Sequence, residues 1–431
     1  MNLKALFNFN LEKIFNRISV INQRVYGDSI NIIKPPVNYN TIENEHHQSD
    51  EIITVADIGN YKIAVFIARL NASKKIEIIG FGESKTEGIK KGIIANYSKV
   101  SQCLKNAIDK AAKQADFIPK SICASISCAV KAYEHQEICV RKRHSEIISD
   151  DIEKLKLAIH QSRLYANEYI LYTESMHFNV DGVDEIINPI GMNGTSIEGI
   201  FKVLTCPSVC IKNLRRCCDL IGISLKTTYP SIITSAESIL NREEKAEGVI
   251  VVDIGAEKSD IAIYKNSSLF FTERIPYGGN MITKDIAKYT GLFLKNAEEI
   301  KIKHGNAIYL NIDDNETIEA KLFKHYKKAV FKKDLAFVIQ CRLIEILELI
   351  NFIISSHIDK HQIIYGIVFT GGPSNTPQFK KLLKPIFKTN YFYDFKIKPI
   401  FTTINPEIKK LLNQPTYTSA LGILELEFKK H

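Results

Sequence analysis

The sequence has no run of eighteen apolar residues, so no α-helix is expected to span a bilayer. Nor is a secretory leader expected from the opening residues. The apolar residues of the opening MNLKALFNFNLEKIFNRI are interrupted by Lys, Asn and Glu, and no small-residue cleavage site follows. No cysteines form a CxxC pair and no histidines cluster at zinc spacing, which excludes the common zinc modules. The nine cysteines (Cys103, Cys123, Cys128, Cys139, Cys206, Cys210, Cys217, Cys218 and Cys341) lie mostly in apolar segments and read as buried, reduced thiols. A net charge of +9 is compatible with nucleic acid, an anionic membrane surface or an acidic partner. Zinc-finger and RNA-recognition signatures are absent, so no nucleic-acid partner is expected. Lys, Ile and Asn are abundant together, as AT-rich coding would produce, which weakens any argument from charge alone.

What is present is a globular composition, 45% hydrophobic and 24% charged over 431 residues, enough for about two to four domains or subdomains. Residues 1–25 place Leu3, Phe7, Leu11, Ile14, Ile18 and Ile21 at helical spacing, with Leu6 and Phe15 beside them. Lys4, Lys13, Arg17 and Arg24 lie around this stripe, opposed only by Glu12. Residues 26–50 have a linker composition of Gly, Pro, Asn, His and acidic residues.

From residue 52 the pattern is strand, tight turn, strand: IITVAD and KIAVFIARL around Gly59-Asn60, then KIEIIGFGES. A helix from about Val100 to Gln114 and strands at SICASIS and HQEICVR follow. Another helix is expected after Ser149-Asp150-Asp151, which are good capping residues. KVLTCPS reads as a strand and CIKNLRRCCDLIG as a helix closed by Gly222. A second Asp-Ile-Gly hairpin opens at Gly248, helices are expected over 283–304 and 334–357, and YTSALGILELEFKK closes the chain as a helix. The strand–helix alternation with a repeated hairpin predicts a two-lobed α/β protein.

Each Asp-Ile-Gly ends a strand where a hairpin reverses. Glycine permits positive φ and close backbone approach. The N–H groups of such a turn can hold phosphate oxygens. An Asp at the strand end can hold Mg²⁺ through water, because that ion prefers oxygen and keeps its hydration shell. Two facing hairpins would grip a polyphosphate from both sides. A third turn, Thr370-Gly371-Gly372-Pro373, ends the strand IVF and has no side chains where a flat ligand could lie, with a helix expected from Thr376.

The order hairpin, hairpin, Gly-Gly strand end resembles the actin-like ATPase superfamily. Within it, the chain is most similar to the bacterial cell-division FtsA family. The resembling stretches are GFGESKTEGIKKGIIAN, NVDGVDEIINPIGMNG (Asp181, Gly182, Pro189, Gly191, Met192, Gly194), RIPYGGNMITKDIA, NAEEIKIKHGNA, TGGPSNTPQF and YTSALGIL, spread over about 52–427. The resemblance implies a two-lobed actin-like (ribonuclease H-like) ATPase fold with an inserted strand–helix–strand–strand subdomain. Lobe I would comprise 51–85 and 176–245, closed by 415–431. The insert would span 86–175. Lobe II would span 246–414, with a helical upper subdomain at about 284–364.

It also implies ATP between the lobes. Asp57, Gly59, Asn60 and Lys62 would form the first phosphate loop, and Asp253, Gly255 and Ser259 the second. Gly278 and Gly279 would flank the nucleotide, Glu298 and Lys301 would reach ribose and adenine, and Gly371 and Gly372 would back the adenosine. Asp57 and Asp253 would hold Mg²⁺ through water. The implied role is a division scaffold that forms protofilaments, contacts other division proteins, binds the carboxy-terminal peptide of FtsZ through the upper subdomain, and works at the cytoplasmic face of the inner membrane.

Some positions depart from the family pattern. The second loop usually reads D-x-G-G-G-T-T-D, whereas here it is Asp253-Ile254-Gly255-Ala256-Glu257-Lys258-Ser259-Asp260. Glu257 brings a negative side chain near phosphates, with Lys258 a partial offset. Asn60-Tyr61 replaces two small hydroxyl residues in the first loop, so Tyr61 is expected to point away. Ser231 stands where a carboxylate is common, so ATP is expected to bind with weak or no hydrolysis, and no catalytic residue is assigned. A small-molecule kinase would need a base that the sequence does not identify. A pilus-assembly relative shares the fold, but the VDG…GMNG segment and the amino-terminal leash favour division. The family's usual carboxy-terminal membrane helix has its expected counterpart in residues 1–25, lying in the interface of an anionic membrane. Deleting residues 1–25 is expected to release the protein from anionic liposomes in a flotation assay, and undiminished binding would contradict the anchor.

Overall fold

A computed structural model of the chain describes residues 52–162, 167–323, 326–359, 363–388, 392 and 397–430. The helix expected over 1–25 and the linker over 26–50 lie outside the described residues.

Strands β1 (Ile53–Ile58), β2 (Lys62–Leu70) and β3 (Ile76–Lys85) form an antiparallel meander. Both faces of β1 and β2 are apolar because both are covered. Ala56, Ile58, Ile63, Val65 and Ile67 face one core, while Val55, Ala64, Phe66 and Ala68 face another. After the short pair β4 (Ile89–Lys90) and β5 (Ile93–Ile94), helix α1 (Tyr97–Ala115) lies across β3. The approach is close enough that a Cβ on Gly82 would sit 1.9 Å from the Ala107 carbonyl oxygen, which accounts for the small residues of GFG. Strand β6 (Ser121–Ile126) then runs parallel to β1.

The insert consists of β7 (Lys131–Glu146), α2 (Ser149–Gln161), β8 (Glu168–Val180), β9 (Val183–Ile186) and β10 (Asn193–Pro207). Its antiparallel sheet has the order β7-β10-β8-β9. Ile152, Leu155 and Ile159 of α2 pack on Phe178, Phe201 and Val203. Ser149, Asp150 and Asp151 form the first turn of α2 instead of capping it from outside, and Asp151 Oδ2 accepts the Ile148 N–H. The insert therefore occupies about 131–207, not 86–175. Helix α1 and strand β6 belong to the first lobe, whereas β8 and β10 belong wholly to the insert. Hydrophobic alternation reveals that a strand exists but not which sheet it joins.

The chain returns through α3 (Ser208–Asp219), β11 (Ser224–Pro230), α4 (Ser231–Ile239) and the short α5 (Arg242–Glu247). In the second lobe β12 (Val249–Ile254), β13 (Ser259–Lys265) and β14 (Ser268–Ile275) repeat the opening meander. The expected helix over 283–304 is two helices, α6 (Gly279–Thr290) and α7 (Leu294–His304), separated at Gly291 with φ +71°. A hairpin of β15 (Thr317–Phe323) and β16 (Tyr326–Phe331), not foreseen from sequence, precedes α8 (Lys332–His357). Strand β17 (Gly366–Thr370) lies parallel to β12, as β6 does to β1. A 3₁₀ turn at Gly372–Asn375 follows, and α9 spans Lys380–Phe387. The helix expected from Thr376 starts later because Pro377 holds Thr376 extended, at ψ 127°.

Strand β18 (Phe401–Thr402) pairs with β3, and α10 (Pro406–Leu411) and α11 (Thr418–Phe428) complete the described chain. Phe401 and Ile408 join the first lobe's core, so that lobe resumes at about 401 instead of the expected 415. The sheets have the orders β11-β6-β1-β2-β3-β18 and β14-β13-β12-β17. Between them lie two helices: α11 covers the first sheet and α4 the second. They touch at Gly422, where a Cβ would fall 1.7 Å from the Thr234 carbonyl oxygen. This is the expected two-lobed α/β fold.

Candidate functional site

The two Asp-Ile-Gly hairpins are built alike. Ile58 pairs with Ile63 across a four-residue turn, and Ile254 with Ser259 across another. Each turn is closed by the same bond: Gly59 N–H to the Lys62 carbonyl at 3.1 Å, and Gly255 N–H to the Lys258 carbonyl at 2.9 Å. Both turns open onto one cavity of about 460 Å³, which also receives Gly371 and Gly372, Gly279, and the side chains of Glu298 and Lys301. Of the expected residues, Asp57, Gly59, Asn60, Lys62, Asp253, Gly255, Gly279, Glu298, Lys301, Gly371 and Gly372 meet there.

Ser259 and Gly278 do not line the cavity. Ser259 is fully buried and its hydroxyl donates to the Tyr277 carbonyl at 2.8 Å, because strand alternation turns it away from the cleft. Gly278 packs behind the second turn, where a Cβ would lie 2.5 Å from the Gly255 carbonyl oxygen. Gly371 has φ +88° and leaves room for Asp253, whose Oδ1 would sit 2.5 Å from a Cβ there. Gly372 presents open backbone to the cleft, since the nearest atom to its Cβ position, Thr416 Cγ2, is 4.0 Å away.

Asp57 and Asp253 stand at the strand ends. Ser125 on β6 donates to Asp57 at 2.5 Å and receives Ser419 at 2.7 Å. Ser235 donates to Asp253 at 3.0 Å and is joined by Thr418 at 3.2 Å. Burial raises the Asp57 carboxyl, partly offset by Ser125, Ser419, Lys62 and Lys258. Burial, reinforced by the charge of Asp260, pushes Asp253 up to about 7 against the pull of Lys258 and Ser235. Asp260 is held below the carboxylate range despite burial by Arg274 and Lys258, each at 2.5 Å. Its position directly across the hairpin from Asp253 was the signal that could have marked it.

Lys62 pairs with Glu83 at 3.0 Å and lies 3.5 Å from the Tyr417 ring centroid, while the Tyr417 hydroxyl donates to Glu83 at 2.8 Å. Glu298 and Lys301 form a largely buried pair at 2.6 Å. Lys301 also donates to the Gly279 carbonyl at 3.1 Å and to Thr283 at 2.8 Å. Tyr61 lines the cavity and feels the charges of Glu298 and Glu83, so it faces the cleft instead of pointing away. Glu257 crosses between the lobes, accepting from the Asn60 side-chain amide and, at 2.6 Å, from the Lys91 N–H.

A nucleotide fits this cleft. Two buried polar atoms among its lining, Asn60 Oδ1 and Thr416 Oγ1, have no partner, and the tips of both turns face in. The expected Mg²⁺ fits less well. Among the described residues no three metal-ligating side chains converge. The Lys258 ammonium already stands in the field of both Asp57 and Asp253. All nine cysteines are free thiols, six of them buried.

A family model described as "Cell division protein FtsA" matches residues 250–422, and one described as "SHS2 domain inserted in FTSA" matches 129–205, close to the insert seen here. The cell division protein FtsA of Buchnera aphidicola subsp. Baizongia pistaciae is 32% identical over 345 residues, covering 78% of this chain and 82% of that protein. Among solved structures, the PilM-PilN type IV pilus biogenesis complex aligns with a TM-score of 0.61 at 14% identity, over 87% of this chain and 98% of that one. MreB5 of Spiroplasma citri bound to ADP aligns with a TM-score of 0.51 at 12% identity, over 88% and 97%. These two share the fold.

The raised Asp253 gives a pH signature. A carboxyl whose folded value lies above its ordinary one costs stability as pH rises toward about 7, and the cost is complete above that value. Asp253→Asn keeps an acceptor for Ser235. It is expected to raise the Tm of the ligand-free chain at about pH 8 and to raise it less at about pH 5. A shift equal at both pH values, or a fall, would contradict the assignment.

Proposed function

The chain belongs to the FtsA family of cell division proteins, and on that premise we propose that it is an actin-like scaffold. It binds ATP in the cleft, self-associates into protofilaments, and tethers FtsZ to the cytoplasmic face of the inner membrane at the division site. The observation that carries the nucleotide part is the convergence of the Asp57–Lys62 turn, the Asp253–Lys258 turn and the Gly371-Gly372 strand end on one cavity. The turn N–H groups suit phosphate oxygens. Open backbone at Gly372 suits the adenosine, and the Glu298–Lys301 pair suits ribose and base. Binding outweighs turnover in this reading. Ser231 presents a hydroxyl, 3.5 Å from Lys258 Nζ, and a neutral hydroxyl is a poor acceptor for the proton of an attacking water.

The remaining parts rest on the family. Among the described residues no helix is long and apolar enough to cross a membrane, which agrees with attachment from one side. The upper subdomain, where the FtsZ tail would dock, exposes Leu310, Tyr326 and Phe331.

The full chain is expected to bind a fluorescent ATP analogue saturably and release it to excess ATP. Glu257→Ala, which removes a like charge from the phosphate region, should tighten binding by about tenfold. A labelled FtsZ tail peptide should bind saturably in the same preparation. Folded protein that binds neither ligand would contradict the reading.

A further inference from the structure

Lys258 has unusual surroundings for a turn residue. Its backbone is locked, because its carbonyl accepts the Gly255 N–H at 2.9 Å. Its side chain is largely buried and turns inward along the hairpin, not outward to Glu257. The ammonium lies 2.5 Å from Asp260 Oδ2 and 3.5 Å from Ser231 Oγ. Asp260 does not belong to Lys258 alone, since Arg274 Nε holds its other oxygen at 2.5 Å. Arg274 in turn reaches across to the Ser127 carbonyl at 3.3 Å and is tied into the lobe contact. Asp57 and Asp253, one from each lobe, also act on Lys258 or are acted on by it. An ammonium has three N–H donors, and among the described residues the hydrogen bonds around Lys258 use two. The cavity beside it is the polyphosphate seat.

The physical problem there is one of charge. Two buried carboxylates at the strand ends would repel an incoming polyphosphate unless a cation lies between them. A hydrated divalent ion is one solution. This chain carries another in its own sequence, and a second cation of higher charge placed there would be repelled by it.

We propose that Lys258 is the resident counter-cation of the phosphate seat, so that the chain takes a nucleoside polyphosphate without requiring a divalent metal. This rests on the nucleotide reading above. One N–H of Lys258 contacts the polyphosphate while the other two keep Asp260 and Ser231. The Asp57 and Asp253 charges are screened by the same ammonium. Asn60 and the turn N–H groups supply the opposite wall.

The test is equilibrium binding of ATP to the full chain, by calorimetry, with excess EDTA or with saturating Mg²⁺. The wild-type affinity is expected to agree within about threefold between the two conditions. Lys258→Met is expected to lose about tenfold or more in EDTA and to recover with Mg²⁺, whereas Lys258→Arg, which keeps the charge, stays metal-independent. A wild-type affinity that falls about tenfold or more in EDTA overturns the proposal while leaving the nucleotide reading intact. Absence of binding in both conditions overturns the two together. The wild-type comparison needs no variant to fold.

Discussion

Two carboxylates, Asp57 and Asp253, are buried at the strand ends of matching hairpins and line one cleft from opposite lobes. Burying them is costly, and much of the surrounding structure offsets that cost. Hydroxyls do the first part: Ser125 and Ser419 on the Asp57 side, Ser235 and Thr418 on the Asp253 side, with Thr234 and Thr370 joining the same web. Cationic side chains do the second: Lys62, Lys258 and, through Asp260, Arg274. Asp253 remains short of full compensation, and a cleft in that state is suited to a ligand that brings its own donors and cations or uses those of the chain.

The web lies between helices α4 and α11, the two-helix layer that separates the sheets. Both helices carry Thr-Ser-Ala, at residues 234–236 and 418–420. The small residues allow close crossing and the hydroxyls reach the strand ends. The packing of the lobes and the electrostatics of the cleft thus depend on the same few positions. Two side chains then bridge the lobes directly, Glu257 to Asn60 and Lys91, and Arg274 to Ser127. On the proposed reading, a phosphate entering between the turns would compete with the Glu257 carboxylate for the Asn60 amide.

Much of this was legible in the sequence. The apolar runs ending in Asp-Ile-Gly announced the duplicated hairpin, and the Gly-Gly strand end completed the cleft. Local pattern did not reveal partnership. The SICASI strand and the helix before it read as part of the insert, because nothing in their periodicity says that β6 lies beside β1. The 283–304 stretch breaks at Gly291, where a left-handed residue ends one helix and starts a turn; the glycine is the signal in the sequence for that stop. In the site, the sequence marks the glycines and acidic residues but not the direction of their neighbours. Ser259 turns inward and Tyr61 faces the cleft, because strand alternation and turn geometry decide those directions. The Asp260–Arg274 pair is not legible in local pattern because the contact is made across strands β13 and β14, fourteen residues apart.

On the proposed reading, the two hairpin turns form one polyphosphate seat, and Glu257 holds Asn60 across it. A crystal structure of the full chain with ATP tests it most directly. The triphosphate is expected between the Asp57 and Asp253 turns, with the Glu257 carboxylate withdrawn from Asn60. A nucleotide bound elsewhere, or a cleft that keeps the Glu257–Asn60 bond with no phosphate between the turns, would contradict it.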